Sequence, residues 1–314
     1  MRIVDFTTTH IEPATQIARQ NYEAERGYVP MLPPVDTVPN LTPYVENGLG
    51  VAALEGDTVV GFLCASDPFE NAFRSTGVIG VFSPMGANAA AGKNRAWIYA
   101  RMYQVAGEKW LRAGTASHAV CLYAHDMEAQ QQFFRYGFGM RCIDAIREMD
   151  EIVSPPCGGY TFAELAPENA LQIMPLDNLL HRHLLASPFF TYRAEHQTSD
   201  FLAYWEQTKP DCFVANYEGK IVAYILIENE GETFISAMPG YRHVAGAYCL
   251  PEHRGKDLNL YLINLAVQKL RAQGHTRLGV DFESINPAAY GFWPKYFSAY
   301  THSVVRRIDK SNPL

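Results

Sequence analysis

The stretch Cys249–Leu260, CLPEHRGKDLNL, joins an apolar run to a segment with apolar residues at helical spacing. Pro251 ends the preceding strand because proline has no N–H for a strand ladder. Arg254, Gly255 and Lys256 then stand at the predicted start of a helix, where unpaired backbone N–H groups and the helix dipole attract anions. The stretch predicts a strand–turn–helix unit whose turn can hold a phosphate; a solvated turn that is merely basic is the alternative.

The chain also repeats itself. Four pairs of segments match in the same order, for example LEGDTVVGFL (Leu54–Leu63) with YEGKIVAYI (Tyr217–Ile225). The offset is nearly constant, between 159 and 163 residues, at the matched pairs Glu55 and Glu218, Gly114 and Gly274, Phe134 and Trp293, and Arg147 and Arg306. Such agreement indicates a tandem duplication of one α/β unit.

Each copy follows the same order of predicted elements: a strand, helical segments, a hairpin, a third strand, a long helix, a fourth strand, a short helix and a last strand. The predicted fold class is therefore α/β (α+β), with two mixed β-sheet domains flanked by helices. Because Pro-Pro and Gly-Gly punctuate residues 151–159, we predict a linker there, between domains at 1–150 and 160–314. In the second copy the elements are Tyr160–Leu165, Glu168–Ala186, Cys212–Glu228, Val244–Leu250, Leu258–Gln273 and Leu278–Phe282.

Composition narrows the functional classes. With 48% apolar and 19% charged residues, the 314-residue chain is suited to a packed globular protein. Its net charge of −7 and pI near 5.8 argue against nucleic acid as a partner, since no basic tract could neutralise phosphates. No apolar run is long enough to span a membrane and the N-terminus reads as a strand, so we predict a cytoplasmic protein without a membrane partner.

The spacing of the cysteines and histidines does not indicate a metal site. The six cysteines form no C-x-x-C pair and lie mostly in apolar, strand-like runs, which predicts buried thiols. His181 and His183 fall on different sides of a helix and make a poor metal clip. We therefore predict no metal.

The order of elements around LPEHRGKDLNLYLINLAVQKL and DFESINPAAYGFWPKYF resembles the GNAT (Gcn5-related N-acetyltransferase) superfamily, in its tandem two-domain bacterial type. Residues 254–259 occupy the place of the family signature Arg/Gln-x-x-Gly-x-Gly/Ala, with Arg254 at its first position. The resemblance implies acetyl-CoA, or another acyl-CoA, as cofactor and an amine of a small molecule, a protein N-terminus or a lysine as acceptor. It also implies cofactor contacts from a strand, a turn and a later asparagine and aromatic residue: Tyr248, Cys249, Leu250, Arg254, Gly255, Lys256, Asp257, Leu258, Asn259, Asn286 and Trp293.

Two departures from the family turn lead us to expect weakened cofactor binding. Asp257 and Asn259 replace small residues, and the carboxylate of Asp257 adds a negative charge beside a polyanion. The corresponding turn of the first half, Ser83–Trp97, does not show the family spacing. We expect this half to have a degenerate cofactor loop and to be mainly structural.

The chemistry requires a proton acceptor for the amine, a donor to the thioester carbonyl and an acid for the leaving thiolate. A backbone N–H near Cys249 or Leu250 is the expected carbonyl donor. The resemblance implies a tyrosine on the short helix as the acid; that position holds Trp293, so we predict Tyr290 instead, with Tyr296 left open. Glu283 is the predicted base. The residues also considered for the proton relay or the amine are Glu252, Asp281 and His302.

Two other functional interpretations of the sequence remain open. The chain could be a non-catalytic binding or interaction module that keeps the fold while both cofactor turns have decayed. Duplicated folds of this kind also include aminoacyl-transferring proteins, which need a basic surface for tRNA that this chain does not show. The aromatic stretch FFTYR (Phe189–Arg193) is expected to line an acceptor pocket or to close the core.

Overall fold

A computed structural model describes residues 1–155 and 157–309. Pro156 of the predicted linker and residues 310–314 of the predicted second domain lie outside the described residues. The chain forms two compact units. Unit 1 comprises residues 1–144, 283–285 and the described residues from 299 onward, and unit 2 comprises residues 145–282 and 286–298.

Unit 1 combines a four-stranded sheet, in the order β1-β2-β3-β5, with a second set of strands that includes β4, β6 and β13. Strand β4 is parallel to β6, and β13 pairs with the opposite edge of β6 in the antiparallel sense. The elements are β1 (Arg2–Asp5), α1 (Thr8–Tyr28), α2 (Thr42–Glu46), β2 (Val51–Glu55), β3 (Thr58–Leu63), β4 (Gly80–Ser83), β5 (Asn88–Ala90), α3 (Arg95–Arg112), β6 (Ser117–Tyr123), α4 (Met127–Arg135), β7 (Gly139–Glu148, which continues into unit 2) and β13 (Ser298–Arg307).

Unit 2 contains a run of neighbouring strands in the order β12-β11-β10-β9-β8. All the pairs in this run are antiparallel except β11 with β12, which is parallel. The elements are β8 (Tyr160–Leu165), a short 3-10 helix, α5 (Met174–Leu185), α6 (Thr198–Thr208), β9 (Asp211–Tyr217), β10 (Lys220–Glu228), β11 (Tyr241–Cys249), α7 (Leu258–Ala272), β12 (Arg277–Glu283) and α8 (Pro287–Phe292).

The helix that follows the turn of unit 2 shows how local sequence sets its bounds. In α7 the residues Leu262, Ile263, Ala266 and Val267 are fully buried and form one apolar side. Gly274 adopts a φ of +89°, a left-handed conformation that costs glycine little, and it ends the helix after Ala272. This confirms the helix predicted from residue 258, with its end one residue earlier.

Each unit has its own apolar core. In unit 1, Met102 and Trp110 of α3 pack with β-strand residues, including Val304 of β13. In unit 2, Phe201 and Trp205 of α6 pack with Tyr224 of β10. The predicted mixed α/β fold is confirmed. Four of the six cysteines are buried, while Cys142 and Cys157 are half-buried.

The compact units and the sequence repeats cut the chain at different places. Residues 299–309 belong to the second repeat, yet they lie in unit 1, where Thr301–Arg307 pair with β6. Residues 145–148 of the first repeat belong to unit 2. The division at 151–159 therefore describes the duplication and remains a prediction for independent domains. Among the described residues, no helix combines the length and apolarity that crossing a membrane requires.

Candidate active site

Strand β11 parts from one of its neighbours halfway along its length. Its pairing with β10 continues as far as Ala223 opposite Cys249, whereas its pairing with β12 ends at Val244 opposite Val280. Of the five residues after Val244, Gly246–Cys249 pair with β10 alone, and Ala245 lies at a register shift of that ladder. This splay opens a gap in the sheet directly before the turn that leads to α7.

The alternation of an antiparallel ladder decides which backbone groups face the gap. The N–H of Leu250 donates to the carbonyl of Val222, 2.9 Å away, so the neighbouring groups of Cys249 point away from β10. By the same alternation, the backbone N–H and C=O of Ala247 also point away from β10, into the gap. Arg254 Nε donates to the carbonyl oxygen of Cys249 at 3.0 Å, and this leaves the Cys249 N–H as a donor directed into the gap.

The turn has two left-handed residues separated by one. Gly255 has a φ of +74° and Asp257 a φ of +57°. The intrahelical ladder begins with Leu260 and Tyr261, whose N–H groups donate to the carbonyl of Asp257 at 2.9 and 3.3 Å. The N–H groups before them have no carbonyl one turn earlier within the helix, which is the arrangement that binds phosphate at a helix start.

Gap and turn together form a cleft of about 470 Å³ in unit 2, a volume in the range of small-ligand sites. Arg254, His253 and Lys295 contribute basic groups to it, and Asp257 contributes an acidic one. Nine of the eleven predicted cofactor residues line this cleft: Tyr248, Cys249, Arg254, Gly255, Asp257, Leu258, Asn259, Asn286 and Trp293.

The other two predicted cofactor residues do not line it. Lys256 turns away, since its Nζ donates to the hydroxyl of Tyr160 at 2.9 Å and lies 5.5 Å from that ring centre. Leu250 uses its N–H within the sheet, as described above. Of the two expected donors to a thioester carbonyl, the geometry therefore favours Cys249 over Leu250.

Sequence reasoning missed ten residues that line the cleft, and three of them have ionisable side chains: His183, His253 and Lys295. His183, near the end of α5, lines the cleft; burial lowers its pKa below the ordinary 6.5, the cation of Arg254 lowers it further, and a hydrogen bond with Asn286 opposes them. Lys295 stands in FWPKYF, two residues beyond Trp293. No periodicity marked His183, because the contact of α5 with the end of β11 is long-range.

The predicted catalytic residues are not brought together in the cleft. The carboxylate of Glu283 accepts two hydrogen bonds from Arg141, from Nε at 2.6 Å and Nη2 at 3.0 Å, and neither residue lines the cleft. Tyr290 lies on α8 with 53% of its surface exposed, and it does not line the cleft either. Trp293 is buried at the cleft wall, where it packs edge-on against Phe292 and Phe297.

The residues left open by the sequence are also placed elsewhere. Asp281 bonds His243, with Oδ1 2.7 Å from Nε2, and His302 bonds Gln130 through Nδ1 at 3.0 Å. Glu252 is exposed beside the cleft, and neither it nor Tyr296 lines the cleft. None of the four therefore contributes a group to the cleft wall.

Comparison with known proteins agrees with this geometry. Residues 179–298, which include the cleft, match the model of the acetyltransferase (GNAT) family. They form a GNAT acetyltransferase domain. The resemblance inferred from the sequence is thereby confirmed, and this GNAT domain contains the splay of β11, the turn and His183. No curated protein is detectably similar to the chain in sequence.

Solved structures extend the likeness to the whole chain. A GCN5-related N-acetyltransferase from Sphaerobacter thermophilus has a TM-score of 0.57 at 12% identity, with 100% of this chain and 97% of that one covered. A GNAT-family acetyltransferase from Colwellia psychrerythraea has a TM-score of 0.50 at 11% identity, covering 98% and 100%. A tandem GNAT protein from the clavulanic acid biosynthesis pathway covers 99% of both chains at 13% identity, with a TM-score of 0.46. At these identities the likeness to the first two structures shows the fold alone.

Proposed function

We propose that the protein is an acetyl-CoA-dependent N-acetyltransferase whose chemistry takes place in the cleft of the GNAT domain. The observation that carries the proposal is the coincidence, in one cleft, of a splayed strand, a helix N-terminus and a set of basic side chains. Acceptors consistent with it are amines of small molecules and of proteins. Location in the cytoplasm remains a prediction.

The residues present fit an acyl-CoA in charge and in hydrogen bonding. The start of α7, Arg254 and Lys295 would hold the phosphates, because all of them present positive charge or N–H donors to the cleft. Asn259 independently supports a ligand here, because its Oδ1 is buried and has no hydrogen-bond partner among the described residues. A buried acceptor without a donor is costly, and an amide N–H of the pantetheine arm would satisfy it.

Acetyl-CoA, when bound, supplies a thioester whose carbonyl carbon is open to attack by a neutral amine. The N–H of Cys249, directed into the gap, would donate to the carbonyl oxygen as negative charge develops there. Burial raises the pKa of the Cys249 thiol to about 11, so this side chain stays protonated at neutral pH. We therefore propose direct transfer to the amine, without an acyl-cysteine.

His183 is the proposed proton acceptor. Its lowered pKa keeps the imidazole neutral at pH 7, which is the form that can take a proton from an incoming ammonium group. Its position in the cleft, beside Asn286, supports this role. Tyr290 as the acid and Glu283 as a base stay predictions that the variants Tyr290→Phe and Glu283→Gln would test in the same assay.

Calorimetry with acetyl-CoA tests the cofactor site. We expect binding in the micromolar range, weakened by about tenfold or more in Arg254→Ala, since this change removes a cation from the cleft. Lys256→Ala is the matched control, because its amino group is held by Tyr160 outside the cleft. Equal losses of acetyl-CoA affinity in both variants would contradict the placement of the site. Absence of binding to the wild type at millimolar acetyl-CoA would contradict the proposed enzymatic function.

An assay of free CoA thiol with a panel of primary amines tests the chemistry separately. Amine-dependent thiol release is the expected result. Tight binding of acetyl-CoA without release for any amine would instead favour the non-catalytic module. Asp257, an acidic residue at the phosphate turn, is the observation in favour of that second reading.

A further inference from the structure

A cluster of two imidazoles and one carboxylate lies outside the cleft but in the same unit. Asp177 and His181 are one turn apart on α5 and share a face of the helix, while His196 comes from residues 186–197, between α5 and α6. Each of the three offers one ligand atom, and these atoms all lie within 4.8 Å of one another. Nothing in the proposed transfer chemistry uses this cluster.

The hydrogen bonds around the cluster orient it as neighbours orient metal ligands. His181 Nδ1 donates to the carbonyl of Ala194 at 2.7 Å, which leaves Nε2 with its lone pair. The buried hydroxyl of Tyr224 donates to Oδ1 of Asp177, so that Oδ2 is the oxygen next to His196 Nε2, 2.6 Å away. A carbonyl behind one imidazole and a hydroxyl behind the carboxylate are typical of second-shell partners at metal sites.

The surroundings suit a cation held by few ligands. The side chains of Asp177 and His196 are 13% and 24% exposed, which shields the site and leaves a side open for water. Two imidazoles with one carboxylate form a ligand set that Zn²⁺ takes in proteins.

We propose that Asp177, His181 and His196 bind a divalent transition-metal ion of the Zn²⁺ type, with water as a further ligand. The ion would replace the hydrogen bond between Asp177 and His196 and would tie residues 186–197 to α5. Within that segment, Phe189 packs against His183 with ring centres 5.1 Å apart. The ion would therefore hold an aromatic residue against a wall of the cleft, whether or not the cleft is catalytic.

The spacing of the ligands on α5 explains why this site was not predicted from the sequence. His181 and His183 are two residues apart on a helix, so they cannot bind the same ion. The relevant spacing is Asp177 to His181, i to i+4, completed by an imidazole 15 residues further along the chain. Only the return of residues 186–197 over α5 brings the third ligand near.

Titration of chelator-treated, full-length protein with Zn²⁺ tests the proposal. We expect one ion per chain with a micromolar or tighter Kd, and a rise in Tm on binding. His181→Ala should weaken binding by more than about 100-fold, since even outer-shell changes cost 10–100-fold. Co²⁺ should bind in the same place and report tetrahedral geometry by its visible absorption.

Two further variants keep the test decisive. Asp177→Asn retains the size of the side chain and an acceptor for Tyr224, so it should stay folded while it loses Zn²⁺. His275→Ala, a half-buried histidine of the same unit, is the control and should bind as the wild type does. Absence of binding to the wild type, or binding that neither His181→Ala nor Asp177→Asn weakens, would overturn the proposal.

Discussion

Two turns lead into the long helices α3 and α7, and their backbones have the same conformation. Gly92 and Asn94 have φ values of +65° and +68°, while Gly255 and Asp257 have +74° and +57°. The two pairs are separated by 163 residues, the same offset as the hairpins that precede them. The first turn thus has left-handed residues at the same two positions as the second, with Asn94 where unit 2 has Asp257.

What surrounds the two turns is different. In the first unit Leu63 of β3 pairs with Asn88, whose Nδ2 donates to the carbonyl of Cys121 on β6 at 3.1 Å and whose Oδ1 accepts from Tyr99 at 3.0 Å. In the second unit the equivalent Leu226 pairs with Gly246, which has no side chain to span the gap.

The first helical residues differ as well. Arg95 of α3 bonds Asp126, Asn21 and the carbonyl of Ala90, so a guanidinium lies at the helix start. The residue 163 positions later is Leu258, which lines the open cleft. The comparison teaches that the turn conformation is not sufficient for a cofactor site. In unit 1 Asn88 bridges to β6 at this point, whereas Gly246 leaves room for a ligand in unit 2.

The largest effect expected from this comparison is on the stability of unit 1. Asn88→Ala should lower the free energy of unfolding by about 3 kcal/mol, since it removes three buried hydrogen bonds and leaves the Tyr99 hydroxyl without an acceptor. Denaturant unfolding measures it. The control, Gly246→Ala, should change stability by less than about 1 kcal/mol, because the added Cβ would lie 3.6 Å from Leu226 in ordinary contact. Similar losses in both would contradict the bridging role of Asn88.

His183→Ala should lower the turnover of acetyl-CoA with an amine by about 100-fold, or about 2.7 kcal/mol, while its acetyl-CoA affinity stays near that of the wild type. Because the pKa of His183 lies below 6.5, wild-type activity should be retained at pH 6.5 and above and fall as the pH drops through that pKa. The variant should lack this decline. A variant with an unchanged pH profile would remove His183 from the mechanism.

The third prediction concerns His118 of β6, where unit 2 has Leu278 at the corresponding place in the repeat. Burial, with the nearby cation of Arg306, lowers the pKa of His118 to about 4. Between pH 4 and 6.5, His118 therefore takes up a proton when the protein unfolds. The stabilisation that comes from keeping this imidazole neutral in the folded state is complete above pH 6.5 and is lost as the pH falls. At pH 5 the loss is about 2 kcal/mol.

Histidine resonances in NMR spectra measure this pKa, and denaturant unfolding at pH 7 and pH 5 measures its consequence. His118→Leu, the residue of unit 2, should remove this part of the pH dependence whatever its effect on stability at pH 7. A His118 that titrates near 6.5 would contradict the buried, neutral state.

The smallest expected effect is a gain. Asp257→Gly should lower the acetyl-CoA Kd by about fivefold, or about 1 kcal/mol, because it removes both a carboxylate from the cleft and the cost of a left-handed backbone. Asn94→Gly, the same change at the other turn, should leave affinity unchanged, since side chains fill that region. A gain from Asn94→Gly would show that unit 1 also binds the cofactor.

Much of this architecture could be predicted from local patterns. Helix α7 (Leu258–Ala272), the hairpins and the turn all depend on residues close in sequence, and each lies within a few residues of its predicted bounds. Gathering of the cofactor residues into one cleft follows from them, because strand, turn and helix start are contiguous. His183 escaped prediction because a distant element, α5, brings it there.

The sequence by itself determined the duplication, the mixed α/β class and the family turn, since each depends on short-range patterns repeated at a constant offset. Only the tertiary structure decided which sheet receives the last strand. IREMD (Ile146–Asp150) and VRRID (Val305–Asp309) have nearly the same local preferences, so either could pair with either copy, yet residues 299–309 lie in unit 1. Strand pairing is settled by long-range hydrogen bonds and packing, which local patterns do not specify.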